Sequence, residues 1–276
     1  VSHMLEKTPW LLMLLTTPAE LDPWFILRFI MLASCDAVAV TEWAAANGAY
    51  IHTAVHAGAP FAGKGLGMQL RSPVDHDEVL LHVPRKLLIV AEPDGGPDDA
   101  PDGVDTPRAL CRQLLSLHAG GADAFWQPYL ACLPRTFEST IYWSEPELRE
   151  LQASPVRSWS AHRVEELRAE HSALRARNVS YSQFVWAYSI ITSRAFRDTA
   201  LPAVGGIALA PIADWFNAAT PTARANVRWA ASSDGLTFYA RGRLAARTEL
   251  VFSYGASLSY VAGAHSMPWP LGPDEA

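Results

Sequence analysis

The spacing of apolar residues changes character twice along this chain, and those changes divide it into blocks. Residues 37–48 are alanine-rich and close on Asn47-Gly48, which predicts a short helix with a glycine stop. Residues 51–55 and 68–71 alternate apolar with polar, and residues 79–90 form two apolar runs around Pro84, so a strand-rich block is expected there. Residues 92–105 are almost entirely Pro, Gly, Asp and Glu and read as a solvated surface loop.

Helical periodicity then takes over. Thr106-Pro107 opens a helix over 108–118, and Pro146, after a cap at Ser144 or Glu145, opens one over 147–152. Over 162–177, Val164, Leu167, His171 and Leu174 share one stripe, on which His171 reads as a satisfied, half-buried histidine. An aromatic helix over 181–196 follows, and a second strand-rich segment closes on Glu249 to Gly255. Near the start, the apolar runs 10–15 and 24–33 fall short of the roughly 20 residues that a membrane span requires, and they read as docking helices.

Composition narrows the classes. Half of the 276 residues are hydrophobic, with 10 Trp, 10 Phe and 8 Tyr, which suits a packed core rather than a disordered adaptor. The balance of 22 basic and 28 acidic residues leaves a net charge of −6, so no basic nucleic-acid footprint is expected. Three widely spaced cysteines, Cys35, Cys111 and Cys132, fit neither a disulfide framework nor a zinc cluster and point to a reducing, intracellular compartment.

The candidate chemistry lies in residues 181–260. There a cation (Arg194), a carboxylate (Asp214), an amide (Asn217) and a phenol (Tyr254) each adjoin apolar residues, a set of anchors for a polar small molecule beside an apolar wall. The set offers no metal ligands and no obvious nucleophile. Taken singly, Arg194 also suits a helix end, Asp214 and Asn217 suit turns, and Tyr254 suits a core. The spacing G-x-x-x-x-G-K from Gly58 to Lys64 imitates a phosphate loop, but Gly65 stands where a magnesium-binding Ser or Thr is needed.

The order of these pieces resembles the SET-domain protein methyltransferases of the branch that includes the Rubisco large-subunit lysine and actin-histidine enzymes. The matching pieces are the helix from Trp43 to Gly48, Gly63-Lys-Gly-Leu66, the run 78–88, Phe125-Trp-Gln-Pro-Tyr129 with the residues to Pro134, and residues 148–152. They continue with Ser193-Arg194-Ala-Phe196, Pro211-Ile-Ala-Asp-Trp-Phe-Asn217 and Ser253-Tyr-Gly255. The resemblance implies an α+β architecture, a β-rich SET fold of the β-clip type interrupted by a helical insert. It divides the chain into an N-terminal helical segment (1–35), a first SET part (36–106), the insert (107–194) and a second SET part (195–276). The usual C-terminal substrate-binding domain is expected to be absent.

By the same resemblance the cofactor is S-adenosylmethionine, and the partner is a protein offering a lysine or, as the lesser reading, a histidine side chain; no nucleic acid, membrane or metal is implied. Gly63, Lys64, Gly65, Leu66, Arg194, Asp214, Asn217, Ala218 and Ser266 fall on the donor side. Phe196, Tyr254 and Ser257 fall on the substrate side, with Tyr254 catalytic. Phe196, two residues after the arginine, favours lysine because an apolar wall accepts its aliphatic stem. Arg194, Asn217 and Tyr254 should then converge on one cavity. The sequence departs from the family at Ala218, where a histidine is usual, at Ser266 to Pro268, where an aromatic is usual, and at Arg247 to Glu249. A degenerate module that binds a protein partner without transferring a methyl group is the alternative.

Overall fold

A computed structural model describes residues 35–91, 106–119, 125–152, 154–174, 179–201, 206–219 and 224–254. The chain falls into two compact units, residues 1–36 and 37–276, and the architecture below is that of the second. The expected N-terminal helices, Ser257 and Ser266 lie outside the described residues.

The first helix, α1 (Ala37–Ala46), stops as its sequence requires: Asn47 Nδ2 donates to the carbonyl of Trp43 at 2.8 Å, and Gly48 adopts φ 89°. The first strand block comprises β1 (Tyr50–Ile51), β2 (Val55–Phe61), β3 (Gly65–Leu70), β4 (Val79–Pro84) and the short β5 (Ile89–Val90).

The helical block runs through α2 (Thr106–Ala119), α3 (Gln127–Cys132), α4 (Glu145–Glu150), α5 (Pro155–Ala173) and α6 (Tyr181–Arg194). The second strand block holds β6 (Ala195–Arg197), β7 (Ile207–Leu209), β8 (Asn217–Ala218), β9 (Val227–Ser232), β10 (Gly235–Ala240) and β11 (Glu249–Phe252). The architecture is α+β, as expected.

Two helix boundaries depart from the sequence reading. The helix expected over 162–177 begins at Pro155, with Ser154 as its cap and a proline in its first turn. The aromatic helix ends at Arg194, because Ala195 to Arg197 leave it to pair with β7. His171 does find its expected partner, the carbonyl of Val179 at 2.8 Å. Cys111 is buried and outside any disulfide, while Cys35 and Cys132 are disulfide-bonded, which corrects the expectation of a chain without bridges.

Three sheets result, ordered β1-β4-β10-β9, β2-β3-β11-β8 and β5-β7-β6. Each of the first two joins strands from both halves of the sequence. β10 pairs antiparallel with β4, and β11 pairs antiparallel with β3 and parallel with β8. The joints follow a local two-fold pattern. Leu70 N donates to Thr248 O and Ala240 N to Glu78 O, Arg247 N donates to Leu70 O and Asp77 N to Ala240 O, and Val74 and Leu244 exchange both bonds. Asp77 and Arg247, at corresponding turns, both adopt positive φ, 61° and 66°.

The core beneath the strands is aromatic. Phe196, Phe216, Phe238 and Phe252 are all buried, with Phe216 stacked on Phe238 at 4.9 Å and Phe196 on Phe252 at 5.8 Å. Burying each such ring contributes about 1.5–3 kcal/mol, so this cluster fixes the floor on which the site stands. A second core, in the helical block, includes Leu110, Leu114, Tyr129, Phe184, Ile190 and Ile191.

Candidate active site

Arg194 is the last residue of α6, and its side chain crosses to the turn that precedes β8. Its Nη1 donates to Asp214 Oδ2 at 3.0 Å and to the Asp214 carbonyl at 3.3 Å. Asp214 sits in a 3-10 turn (Ala213–Trp215) entered through Ile212, which has φ 69° and ψ −47° and is fully buried. A buried, β-branched residue in that region is strained, and its surroundings must hold it there. The Asp214 side chain on this turn is completely buried.

Tyr129, from α3, closes the arrangement by donating its hydroxyl to Asp214 Oδ2 at 3.1 Å. Two polar atoms of this group have no hydrogen-bond partner: Arg194 Nε and Asp214 Oδ1. A buried donor and a buried acceptor left without partners in one ion pair are costly in an interior, a cost that a complementary guest would relieve.

Both residues line one cavity, together with Thr192, Ser193, Ala195, Phe196, Ala213, Phe216, Phe252 and Tyr254. Tyr254 donates its hydroxyl to the Phe216 carbonyl at 2.6 Å, and its ring lies 5.0 Å from that of Phe252. Burial pushes the Tyr254 hydroxyl up to about 12; the Arg194 cation pulls it down and Asp214 pushes it up. Asp214 is likewise raised by burial, against the lowering pull of Arg194 and Tyr129. For Arg194 burial works downward, but Asp214, Tyr129 and Tyr254 outweigh it, so the guanidinium stays charged.

Asn217 is placed differently from expectation. It does not line this cavity; its Nδ2 donates to Glu249 Oε1 at 3.0 Å. Lys64, at the tip of the β2–β3 hairpin, grips the same carboxylate at 2.8 and 3.0 Å. Gly63 and Gly65 flank Lys64 with φ 73° and 78°, backbone that glycine adopts without strain, and neither has a neighbour where a side chain would stand.

Gly67 is different: a Cβ there would come within 2.7 Å of Asn217 Nδ2 and 2.6 Å of Phe61, so only glycine admits the Asn217 amide so close to β3. Ala218 contributes backbone in β8, pairing with Phe252. The expected constellation therefore forms two neighbouring groups, Arg194–Asp214–Tyr254 at the cavity and Lys64–Glu249–Asn217 beside the hairpin. Glu249, which joins the second, was noted in the sequence only as a departure from the family.

Phe196 forms part of the cavity wall but is also 2 % exposed, with its ring 5.5 Å from that of Trp229 and 5.7 Å from that of Phe238. Phe196→Asn would place an amide in that cluster. The variant is expected to lose about 3 kcal/mol of stability in a denaturant titration, whatever it does to substrate choice. An unchanged midpoint would mean that the ring is not part of the core.

No protein-family model matches the chain. Among curated proteins it is similar to the chloroplastic Rubisco large-subunit N-methyltransferase of Pisum sativum, 29% identical over 155 residues, covering 48% of this chain and 30% of that protein. The chloroplastic fructose-bisphosphate aldolase-lysine N-methyltransferase of Arabidopsis thaliana is 28% identical over 145 residues, with the same coverage of both. The actin-histidine N-methyltransferase of Homo sapiens is 30% identical over 121 residues, covering 41% of this chain and 20% of that protein. The chain thus spans less than a third of the length of these relatives.

Among solved structures, the SET domain of LSMT bound to lysine and AdoHcy superposes with a TM-score of 0.66 at 22% identity, over 80% of this chain and 54% of that one. Rubisco LSMT bound to AdoMet gives 0.64, also at 22%. The fold is that of a SET domain. No helix among the described residues is long and apolar enough to cross a membrane.

Proposed function

We propose that this chain, a SET fold, transfers a methyl group from S-adenosylmethionine to a side-chain nitrogen of a protein, lysine being favoured over histidine. One observation carries the reading: Arg194 Nε and Asp214 Oδ1, atoms of two oppositely charged residues that line one cavity with Tyr254, are both left without a hydrogen-bond partner. The amino-acid end of the donor is a zwitterion, and a guanidinium and a carboxylate side by side fit its carboxylate and ammonium. When bound, the donor supplies a methyl group already activated by a sulfonium, so the protein has no leaving group to create.

What remains is placement. Arg194 and Asp214 bind by charge, and their mutual ion pair fixes both rotamers before a ligand arrives. Phe196, Phe216 and Phe252 line the cavity with apolar surface, which lowers the local dielectric and strengthens these contacts. Tyr254 keeps its proton throughout the physiological range, its hydroxyl lying near 12, which rules it out as a general base there. It acts as an oriented dipole, and the accepting nitrogen loses its proton to solvent. Phe196 supplies an apolar wall for the stem of a lysine, the basis for preferring lysine.

A non-transferring binding module is favoured by one observation, the engagement of the Asn217 amide by Glu249 rather than by the cavity. Calorimetry and thermal shift with S-adenosylmethionine, followed by transfer of a labelled methyl group into a proteome lysate, separate the two. Binding with transfer is the expected result, and binding without transfer selects the module. No heat and no shift at millimolar donor would sink the donor site altogether.

A further inference from the structure

Tyr129, from α3 of the helical block, brings a hydroxyl to the cavity residue Asp214, and neither composition nor spacing singled it out. The ring is completely buried in the helical core, where a phenylalanine would pack equally well. A phenol in such a place needs a hydrogen-bond partner, and it finds the carboxylate of Asp214, 85 residues away in sequence.

The consequence lies in which oxygen it takes. Tyr129 and Arg194 both donate to Oδ2, while Oδ1 has no partner. If both donors converge on one oxygen, the carboxylate cannot rotate to share itself, and the other oxygen is held open. We infer that Tyr129 is a positioning residue: by pinning Asp214 Oδ2 together with Arg194, it keeps Oδ1 available to a cationic group of the bound donor. This rests on the donor site proposed above.

The groups that face Asp214 are Arg194 from α6, Tyr129 from α3 and Tyr254 after β11. Burial raises the pKa of Asp214, and the Arg194 and Tyr129 contacts hold it down. Removing the Tyr129 hydroxyl removes one of those downward pulls. Asp214 then takes up its proton at higher pH, so donor affinity, which needs the ionised carboxylate, is lost earlier as pH falls.

The test is calorimetry of the full chain with S-adenosylhomocysteine, from pH 5.5 to 8.5, on wild type and Tyr129→Phe, with melting followed in parallel. The expected result is an acid limb of binding displaced upward, with affinity about tenfold weaker on that limb and the gap closing towards pH 8.5. Affinity unchanged at every pH, or reduced by the same factor at every pH alongside a lower melting temperature, overturns the positioning role and leaves the donor site standing. Absence of binding by the wild type overturns the donor site, and the positioning role with it. Should Tyr129→Phe not fold, Asp214→Asn decides through the same limb: the limb must vanish, and its persistence overturns the inference.

Discussion

Arg194→Ala is expected to abolish measurable donor binding, a loss of more than about 100-fold, and to cost about 3 kcal/mol of stability. The stability cost sits at the low end for breaking a buried ion pair because the Arg194 side chain is 25% exposed while that of Asp214 is fully buried. The sign of the pH dependence follows from Asp214. Its pKa is already raised by burial, and losing Arg194 removes the leading downward pull, so the folded variant favours the protonated acid. A group raised in the folded state contributes its stability below its unfolded value and loses that contribution as pH rises through the folded one. The deficit against wild type is therefore largest at neutral and alkaline pH and shrinks towards the ordinary carboxylate range. Urea titrations at pH 4.5 and 7.5 check this; an equal deficit at both would mean that Asp214 does not ionise in the folded protein.

Tyr254→Phe should leave the fold and donor affinity within about twofold of wild type, while single-turnover methyl transfer falls by about 10²–10³, the scale of losing one preorganised donor at a reacting centre. With its hydroxyl near 12, Tyr254 should add no ionisation step to the rate profile until pH approaches that value. Full activity in the phenylalanine variant would reduce Tyr254 to a structural tyrosine tied to the Phe216 carbonyl. The two variants read different links of the chain from structure to function. Arg194 tests the binding of charge, and Tyr254 tests the orientation of a dipole after binding is complete.

Local signals were legible in the sequence wherever a side chain satisfies its own backbone. Ser144 with Glu147, and Ser180 with Gln183, form capping boxes where α4 and α6 begin. The same kind of signal, Ser154 before Pro155, marks the true start of α5, ahead of the apolar stripe. The end of α6 could not be read locally, since strand pairing with β7 takes Ala195 to Arg197 away from the helix.

In the site, residue types were legible and their grouping was only partly so. Arg194, Asp214, Phe196 and Tyr254 do share a cavity. Asn217 is drawn aside by Glu249, 32 positions away, and nothing in the spacing foretells that. Tyr129 belonged to a quoted motif, yet its hydroxyl acquires meaning only through a partner brought from another part of the chain.

The braided strand order sets a timetable for synthesis. His82 on β4 meets Thr237 on β10 across 155 residues, and Lys64 meets Glu249 across 185. At about 5–20 residues per second, the early strands leave the ribosome ~8–37 s before their partners exist. Their edges must wait bare through the making of the whole helical block, so this protein is expected to lean on chaperones during translation and to refold slowly from denaturant.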